Sequence, residues 1–461
     1  MIKDRSMTTH DSNTTAAKAR RTLIPLLVIY LLGTVCLQAF NLVFQHIGSD
    51  LGAPDQASLI TAIPGVVLGI VCFIYGSLGD FLSLKRITLF GVTLLCAGSV
   101  LGFLLHGNLP LVIAFRIIQT IGFQAAGSVY LVIVAKYLKP EEKLLYFGLF
   151  TADYQLATAI GVLSGGLFVS IDWAYLFLIP LISLLVLVPL IKDLPDSHSG
   201  HGNVDVPGFA IFGVAVLLLT LFFSMLQWWM IVVSLAFFAA FAIYITKAKD
   251  PFITPDFFRN ARWIKSVMLI VIFYFINFSV TPLVNAFGSE VYGMTSSQIS
   301  LMLLPALILA TVSGTCSGRI AKAIGREHAI LTGGSLMGLG MLGSAFCLGL
   351  GPIAVAITMC LFYGGMAMLY SPTVDTVLGT LTHEQSGRGV GLNDLAMQGA
   401  GAIGIAVFGG PIVMQPFASG SLIGATGAAA NASNLLLVYA AIMAFGVAWF
   451  LVFRRSIANR K

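Results

Sequence analysis

The chain has 461 residues, of which 58% are hydrophobic and only 10% charged. A soluble protein carries roughly a quarter charged residues, so too few polar side chains are present to clothe a water-facing surface. This excludes a string of soluble domains and leaves a polytopic membrane protein, in which runs of about 20 apolar residues span the hydrocarbon core as helices.

In chain order, a polar stretch, residues 1–21, includes Lys18, Arg20 and Arg21 and reads as a cytoplasmic tail. The apolar run that follows is full length and lacks a small-residue cleavage pattern, so a first span is expected and not a signal peptide. Apolar runs lie at 22–44, 57–79, 87–106, 109–135, 145–170, 174–191, 208–224 and 227–246. They continue at 265–288, 298–321, 329–349, 353–378, 389–414 and 434–453, which predicts fourteen transmembrane helices. The pair at 208–246 is separated only by a tight link at Met225-Leu226.

Lys and Arg accumulate on the cytoplasmic side of membrane proteins, and they test this count. The segments 45–56, 107–108, 171–173, 289–297, 350–352 and 415–433 contain neither. The alternate segments hold Lys85, Arg86, Lys136, Lys139, Lys143, Lys192, Lys247, Lys249, Arg259 and Arg262, then Lys322, Arg326, Arg388, Arg454, Arg455, Arg460 and Lys461. One miscounted helix would invert every later segment, so an even number of spans with both termini inside is expected. The formal charge of +6 is thereby topological, and nucleic acid is not an expected partner.

Trp173, Trp228, Trp229 and Trp263 fall at span ends, as an interfacial aromatic belt requires. The six cysteines all sit in apolar runs without a C-x-x-C pair and read as packing residues. His198 and His201 have no neighbouring ligand set, so no metal is expected. No P-loop or catalytic constellation is visible; an enzyme is not expected, nor is any cofactor.

A charge within the bilayer costs several kcal/mol and is a functional candidate unless a structural partner satisfies it. Arg116, in FRIIQTIGFQAAG, shares a helical stripe with Gln119 and can bind an anionic group or hold a carboxylate ionised. Asp153, in FTADYQLATAIG, lies about 12 Å into the fifth span and is a candidate proton carrier or a hydrogen-bonded structural acid. Asp375 and Asp394 lie nearer inner helix ends, where pairing with Arg388 or the 80–86 loop is expected.

Several motifs resemble those of the major facilitator superfamily. The segment GSLGDFLSLKR joins spans two and three, and GRIAKAIGR, 318–326, is a degraded copy of it in the second half. Gly76, Leu78, Asp80, Lys85 and Arg86 match most of the family's loop motif G-x-L-x-D-r-x-G-r-k-r. Arg116, Gln119 and Gly122 match its fourth-helix motif R-x-x-Q-G-x-G, with Thr120 in place of the first glycine. Gly161, Gly165 and Gly166 match the antiporter motif of helix five, but Val162 stands where its proline belongs. KAKDPFITPDFFRN resembles the inner linker of the fourteen-helix drug:proton antiporter branch, and the run YLFLIPLISLL after Trp173 and the NLLLVYAAI segment of the last span resemble the tetracycline exporters.

The resemblance implies an all-α major facilitator fold: two six-helix bundles, 22–191 and 265–453, joined by a linker, 192–264, with two extra helices, and a cytoplasmic tail, 454–461. It implies that Asp80, Lys85 and Arg86 latch the cytoplasmic ends of the halves while the carrier faces outward. The expected activity is secondary active transport by alternating access, with proton-coupled efflux of amphipathic drug-like compounds from a bacterial cytoplasmic membrane. Small-molecule substrate, protons and lipid are the expected partners of a monomer. Gln38, Asn41, Arg116, Gln119 and Tyr154 are expected near the substrate cavity, with Asp153 and Arg116 coupling protons. The first span, LGTVCLQAFNLVF, has no acid, which keeps open a metabolite or siderophore carrier without proton coupling.

Overall fold

The computed structural model describes residues 2–78, 82–138, 140–194, 205–381 and 386–458, and helices account for nearly all of them. In the first half they are α1 (Ile2–Asp50), α2 (Leu59–Leu78), α3 (Leu84–Leu104), α4 (Leu109–Tyr137) and α5 (Pro140–Phe168), then a 3-10 segment (Trp173–Ser183) that runs into α6 (Leu184–Asp193). The extra pair is α7 (Val206–Met225) and α8 (Trp228–Lys247), followed by the short α9 (Pro255–Arg259). The second half holds α10 (Ala261–Tyr274), α11 (Asn277–Tyr292), α12 (Ser296–Ile324), α13 (Arg326–Cys347), α14 (Pro352–Leu378), α15 (Ser386–Met414) and α16 (Gly427–Ala458).

Each of the fourteen expected runs coincides with a helix, or with two helical pieces end to end. Thirteen stretches are long and apolar enough to cross a membrane among the described residues. α5 is not one of them, since it carries Asp153, Tyr154 and Gln155 in its first half. Such a helix can cross only with that face turned inward. Its lipid face is Leu156, Ile160 and Leu167, all exposed at helical spacing. Exposed apolar side chains such as Leu185, Val232, Ile357 and Val452 likewise coat the outside of the bundle. The protein is a multi-pass membrane protein.

Local chemistry sets the helix ends. Asn108 caps α4 by accepting the Leu111 N–H at 3.0 Å, with Pro110 in the first turn, where a missing N–H costs nothing. Thr295 and Gln298 form a reciprocal capping box at the start of α12. The α7–α8 link turns through Leu226, whose φ of 52° is a left-handed conformation that a leucine adopts only under constraint from both helices. The ninth span breaks between Tyr274 and Asn277, and Pro282, five residues into α11, supplies no N–H while its ring crowds the carbonyl of Phe278 one turn back. At that break the Phe275 carbonyl packs so tightly on Gly404 of α15 that a Cβ there would overlap it.

Two six-helix bundles result. Within the first, α1 packs on α4 and α5, and α4 on α2 and α3; within the second, α14 packs on α12 and α13, and α16 on α10 and α13. Between them, α2 lies against α15, α5 against α12, and α1 against α11. The extra pair attaches beside this seam, with α7 touching both α2 and α15. Asp205 fixes it there: its carboxylate accepts the N–H groups of Gly208 and Phe252 at 2.9 Å each, and the Tyr244 hydroxyl. Phe252, from the DPF of the linker, then stacks on Phe209 at 4.2 Å and meets Phe73 of α2 edge-on at 5.5 Å.

The tryptophans divide. Trp228 and Trp229 are exposed at the start of α8, whereas Trp173 and Trp263 are buried. The Trp173 indole donates to Asp50 at 3.1 Å, so it joins α1 to the 3-10 segment and does not face a membrane interface.

Candidate functional site

The seam encloses a cavity of about 60 Å³ whose wall comes from both halves. The first half contributes Tyr30 of α1, Cys72 of α2, Gln124 of α4, and Phe150, Tyr154 and Gln155 of α5. The second contributes Tyr274 and Asn277 from the break between α10 and α11, Met366 and Tyr370 of α14, and Asp394, Met397 and Gln398 of α15. The broken helix explains Asn277: the interruption after Tyr274 ends one helix at the cavity wall and begins the next there. Tyr30 reaches the cavity because Gly127 of α4 leaves room behind its ring, which stacks on Phe150 at 4.7 Å.

A polar chain crosses one end of the cavity. Asn41 donates to Gln38 at 3.2 Å and Gln38 donates to the Tyr154 hydroxyl at 3.2 Å, while Tyr154 shares the cavity wall with Asn277 of the other half. Beyond it, towards the face without Lys or Arg, the halves touch directly. Gly161 and Gly165 of α5 sit on the α1 backbone at Val35 and Ala39, while Gly166 faces Ser296 and Ser300 of α12. Those contacts let Ser300 Oγ donate to the Val162 carbonyl at 2.8 Å and Ser297 Oγ to the Gly166 carbonyl at 2.6 Å. α5 runs unbroken past Val162, without the bend a proline there would bring.

Arg116 and Gln119 lie outside this wall, in the interior of the first half. Arg116 is fully buried; its Nη1 donates to Gln119 Oε1 at 3.1 Å and to Cys36 Sγ at 3.5 Å, and its guanidinium lies 4.4 Å from the Phe40 ring centre. Gln119 in turn donates to Ser99 Oγ at 2.8 Å and to the Phe177 carbonyl at 3.2 Å. The arrangement ties α1, α3, α4 and the 3-10 segment together. Asp153 is about 22 Å along α5 from its Lys/Arg-free end and Arg116 about 10 Å along α4 from the same side, so the two differ in depth by about two helical turns. No ion pair joins them among the described residues. Asp153 lies one residue from the cavity-lining Tyr154, and its Oδ2 is buried without a hydrogen-bond partner.

Asp375 pairs with Arg326 at 3.3 Å, a base from the degraded loop copy within its own half. Asp394 departs further from expectation. α15 begins at Ser386, so the acid stands about 12 Å into the helix and on the cavity wall, and it joins no ion pair among the described residues; the side chain of Arg388 lies outside them. In the loop motif, Gly76 falls in the last turns of α2, Lys85 is half-buried and Arg86 exposed in the first turn of α3, and Asp80 lies outside the described residues. His198 and His201 lie outside them too.

Residues 26–405 match the model of the Major Facilitator Superfamily. The chain belongs to that superfamily.

Curated relatives of this facilitator include the multidrug transporter protein MdtP of Bacillus subtilis, 26% identical over 307 residues, which is 64% of this chain and 56% of that protein. Multidrug resistance protein 3 of Bacillus subtilis is 27% identical over 364 residues, 76% of this chain and 66% of its own length. The chain thus spans less than two thirds of these two relatives. Among solved structures, a peptide transporter in complex with alafosfalin superimposes with a TM-score of 0.68 at 14% identity, covering 95% of each chain. The nucleoside transporter NupG gives 0.64 at 12%, covering 94% of this chain and 99% of its own. The fold is that of a facilitator-type carrier.

Sequence reasoning selected Gln38, Asn41 and Tyr154, which form one hydrogen-bonded group, but not Tyr30, Asn277, Tyr370 or Gln398. The sequence marks the ninth span as irregular only through Pro282, five residues beyond Asn277, and a discontinuous helix in a transporter points to its binding site.

Proposed function

We propose that the protein is a secondary active transporter which exports amphipathic drug-like compounds across the bacterial cytoplasmic membrane against inward proton flow. The observation that carries this reading is the seam cavity, walled by both halves and closed at one end by the contact of Gly166 with Ser296 and Ser300, which a rotation of the halves would part. At about 60 Å³ it is far below the roughly 300–1,000 Å³ of a site for a drug-sized ligand, so the halves separate to admit one. Phe150, Met366 and Met397 offer apolar surface to such a molecule, and the amides offer hydrogen bonds.

In this reading the Lys/Arg-rich face with both termini is cytoplasmic, and the α5–α12 and α1–α11 contacts close the external side. Asp153 carries the proton: it is the carboxylate one residue from Tyr154, on the face of α5 that must turn away from lipid. Arg116 supports it through the α4 packing. Asp80, Lys85 and Arg86 latch the cytoplasmic side in the alternate state, and the protein works as a monomer.

One observation favours a second reading. α1 offers the amides Gln38 and Asn41 and no acid, and Gln124, Gln155, Asn277 and Gln398 add further amides, which suits a polar metabolite carried without protons. A drug-susceptibility panel on cells with and without the gene separates the two. The exporter reading predicts several-fold higher tolerance to amphipathic compounds; equal susceptibility throughout supports the metabolite carrier.

A further inference from the structure

Among the described residues that line the cavity, Asp394 is the only carboxylate, and no Lys, Arg or His lines it. None of the observed ion pairs involves Asp394; its side-chain hydrogen bond is to Asn393, its neighbour in α15. One turn on, Gln398 stands on the same face, 4% exposed, with its Oε1 unpartnered among the described residues. Tyr30 of the first half and Tyr370 of the second line the same small cavity as Asp394, so both halves present an aromatic ring to the space that it faces. A carboxylate, a free amide oxygen and aromatic faces are all complementary to positive charge. An anion entering the same space would meet repulsion and no donor cation.

We propose that this cavity selects organic monocations, with Asp394 as counter-ion and with Gln398 and the rings of Tyr30 and Tyr370 completing the site. The proposal rests on the drug-carrier reading and adds its substrate class. A single carboxylate balances a single charge, so a dication would keep one charge uncompensated in a low-dielectric seam. Anionic amphipaths are excluded.

The test is equilibrium binding to the full chain in lipid nanodiscs, with tetraphenylphosphonium as a permanently charged probe and triphenylphosphine oxide as an uncharged relative with a similar aromatic body. The wild-type protein is expected to bind both. Asp394→Asn is expected to weaken tetraphenylphosphonium by about tenfold or more and to change triphenylphosphine oxide by no more than about twofold, whereas Asp394→Glu keeps the cation. No loss for the cation, or equal losses for the two probes, overturns the proposal. If Asp394→Asn does not fold, Tyr370→Leu serves: a larger loss for the cation supports the site, and equal losses overturn it. A wild-type protein that binds only the phosphine oxide removes the cation site and keeps the drug carrier; one that binds neither removes both.

Discussion

A guanidinium with no exposed surface and no carboxylate partner is the least expected side chain in the first half. Arg116 is held by Gln119, Cys36 and the Phe40 ring, and Gln119 spends its remaining donors on Ser99 and the Phe177 carbonyl. Gln119→Leu leaves the charge with a weak sulfur contact and the Phe40 ring, and should lower stability by about 2–4 kcal/mol. Thermal unfolding in detergent reads this directly, and an unchanged midpoint would show that the network carries no load. Asp153→Asn belongs to the other class: expression and melting temperature should match the wild type, while proton-driven transport is lost. Full transport in that variant would remove Asp153 from the coupling step. The type and depth of both charges were legible in the sequence. Their surroundings were not, because Cys36, Ser99 and the Phe177 carbonyl come from elements far away in the chain. Asp394 shows the same limit. Three residues of error in where α15 starts moved it from a helix end to a cavity wall.

Helices carry the next set of constraints. The spacing of Gly161, Gly165 and Gly166 identified α5 as a close-packing helix, but one strip of glycines serves two neighbours, and the sequence does not say which glycine faces which. Gly161 and Gly165 seat α5 on α1 within the first half, whereas Gly166 seats it on α12 across the seam. A side chain at Gly166 would meet Ser300 Oγ and the Ser296 carbonyl. Gly166→Val should therefore force α5 and α12 apart at the Lys/Arg-free end, with little change within the first half. Spin labels at Ser170 and Ser289 would report a longer distance by electron paramagnetic resonance; an unchanged distance would contradict this closure. The extra pair has its own anchor in Asp205, which takes two backbone N–H groups and the Tyr244 hydroxyl. Asp205→Ala strands those donors and should cost about 2–3 kcal/mol locally. Faster trypsin cleavage after Lys247 and Lys249 is the expected readout, and wild-type cleavage rates would show that the aromatic stack of Phe252 suffices alone.

At the scale of the whole molecule, apolar run length and the sorting of Lys and Arg made the fourteen helices legible, since each reports a bulk property of lipid and not a particular contact. The family motifs made the two-bundle arrangement legible in the same way. What stayed hidden was the seam: the break after Tyr274, the polar chain from Asn41 to Tyr154, and the rings that share the cavity with Asp394 depend on which faces of distant helices meet. The extra pair touches both α2 and α15, so it sits on the boundary between the halves. Under the proposed function that boundary shifts, driven by protons, to move an amphipathic cargo. The most direct measurement is ethidium movement in proteoliposomes of the purified protein under an imposed pH gradient. The account predicts that ethidium accumulates against its own gradient on the side from which protons flow, that nigericin abolishes this, and that Asp153→Asn never shows it. Ethidium accumulation that persists after the pH gradient is collapsed, or no movement of ethidium at all, would contradict it.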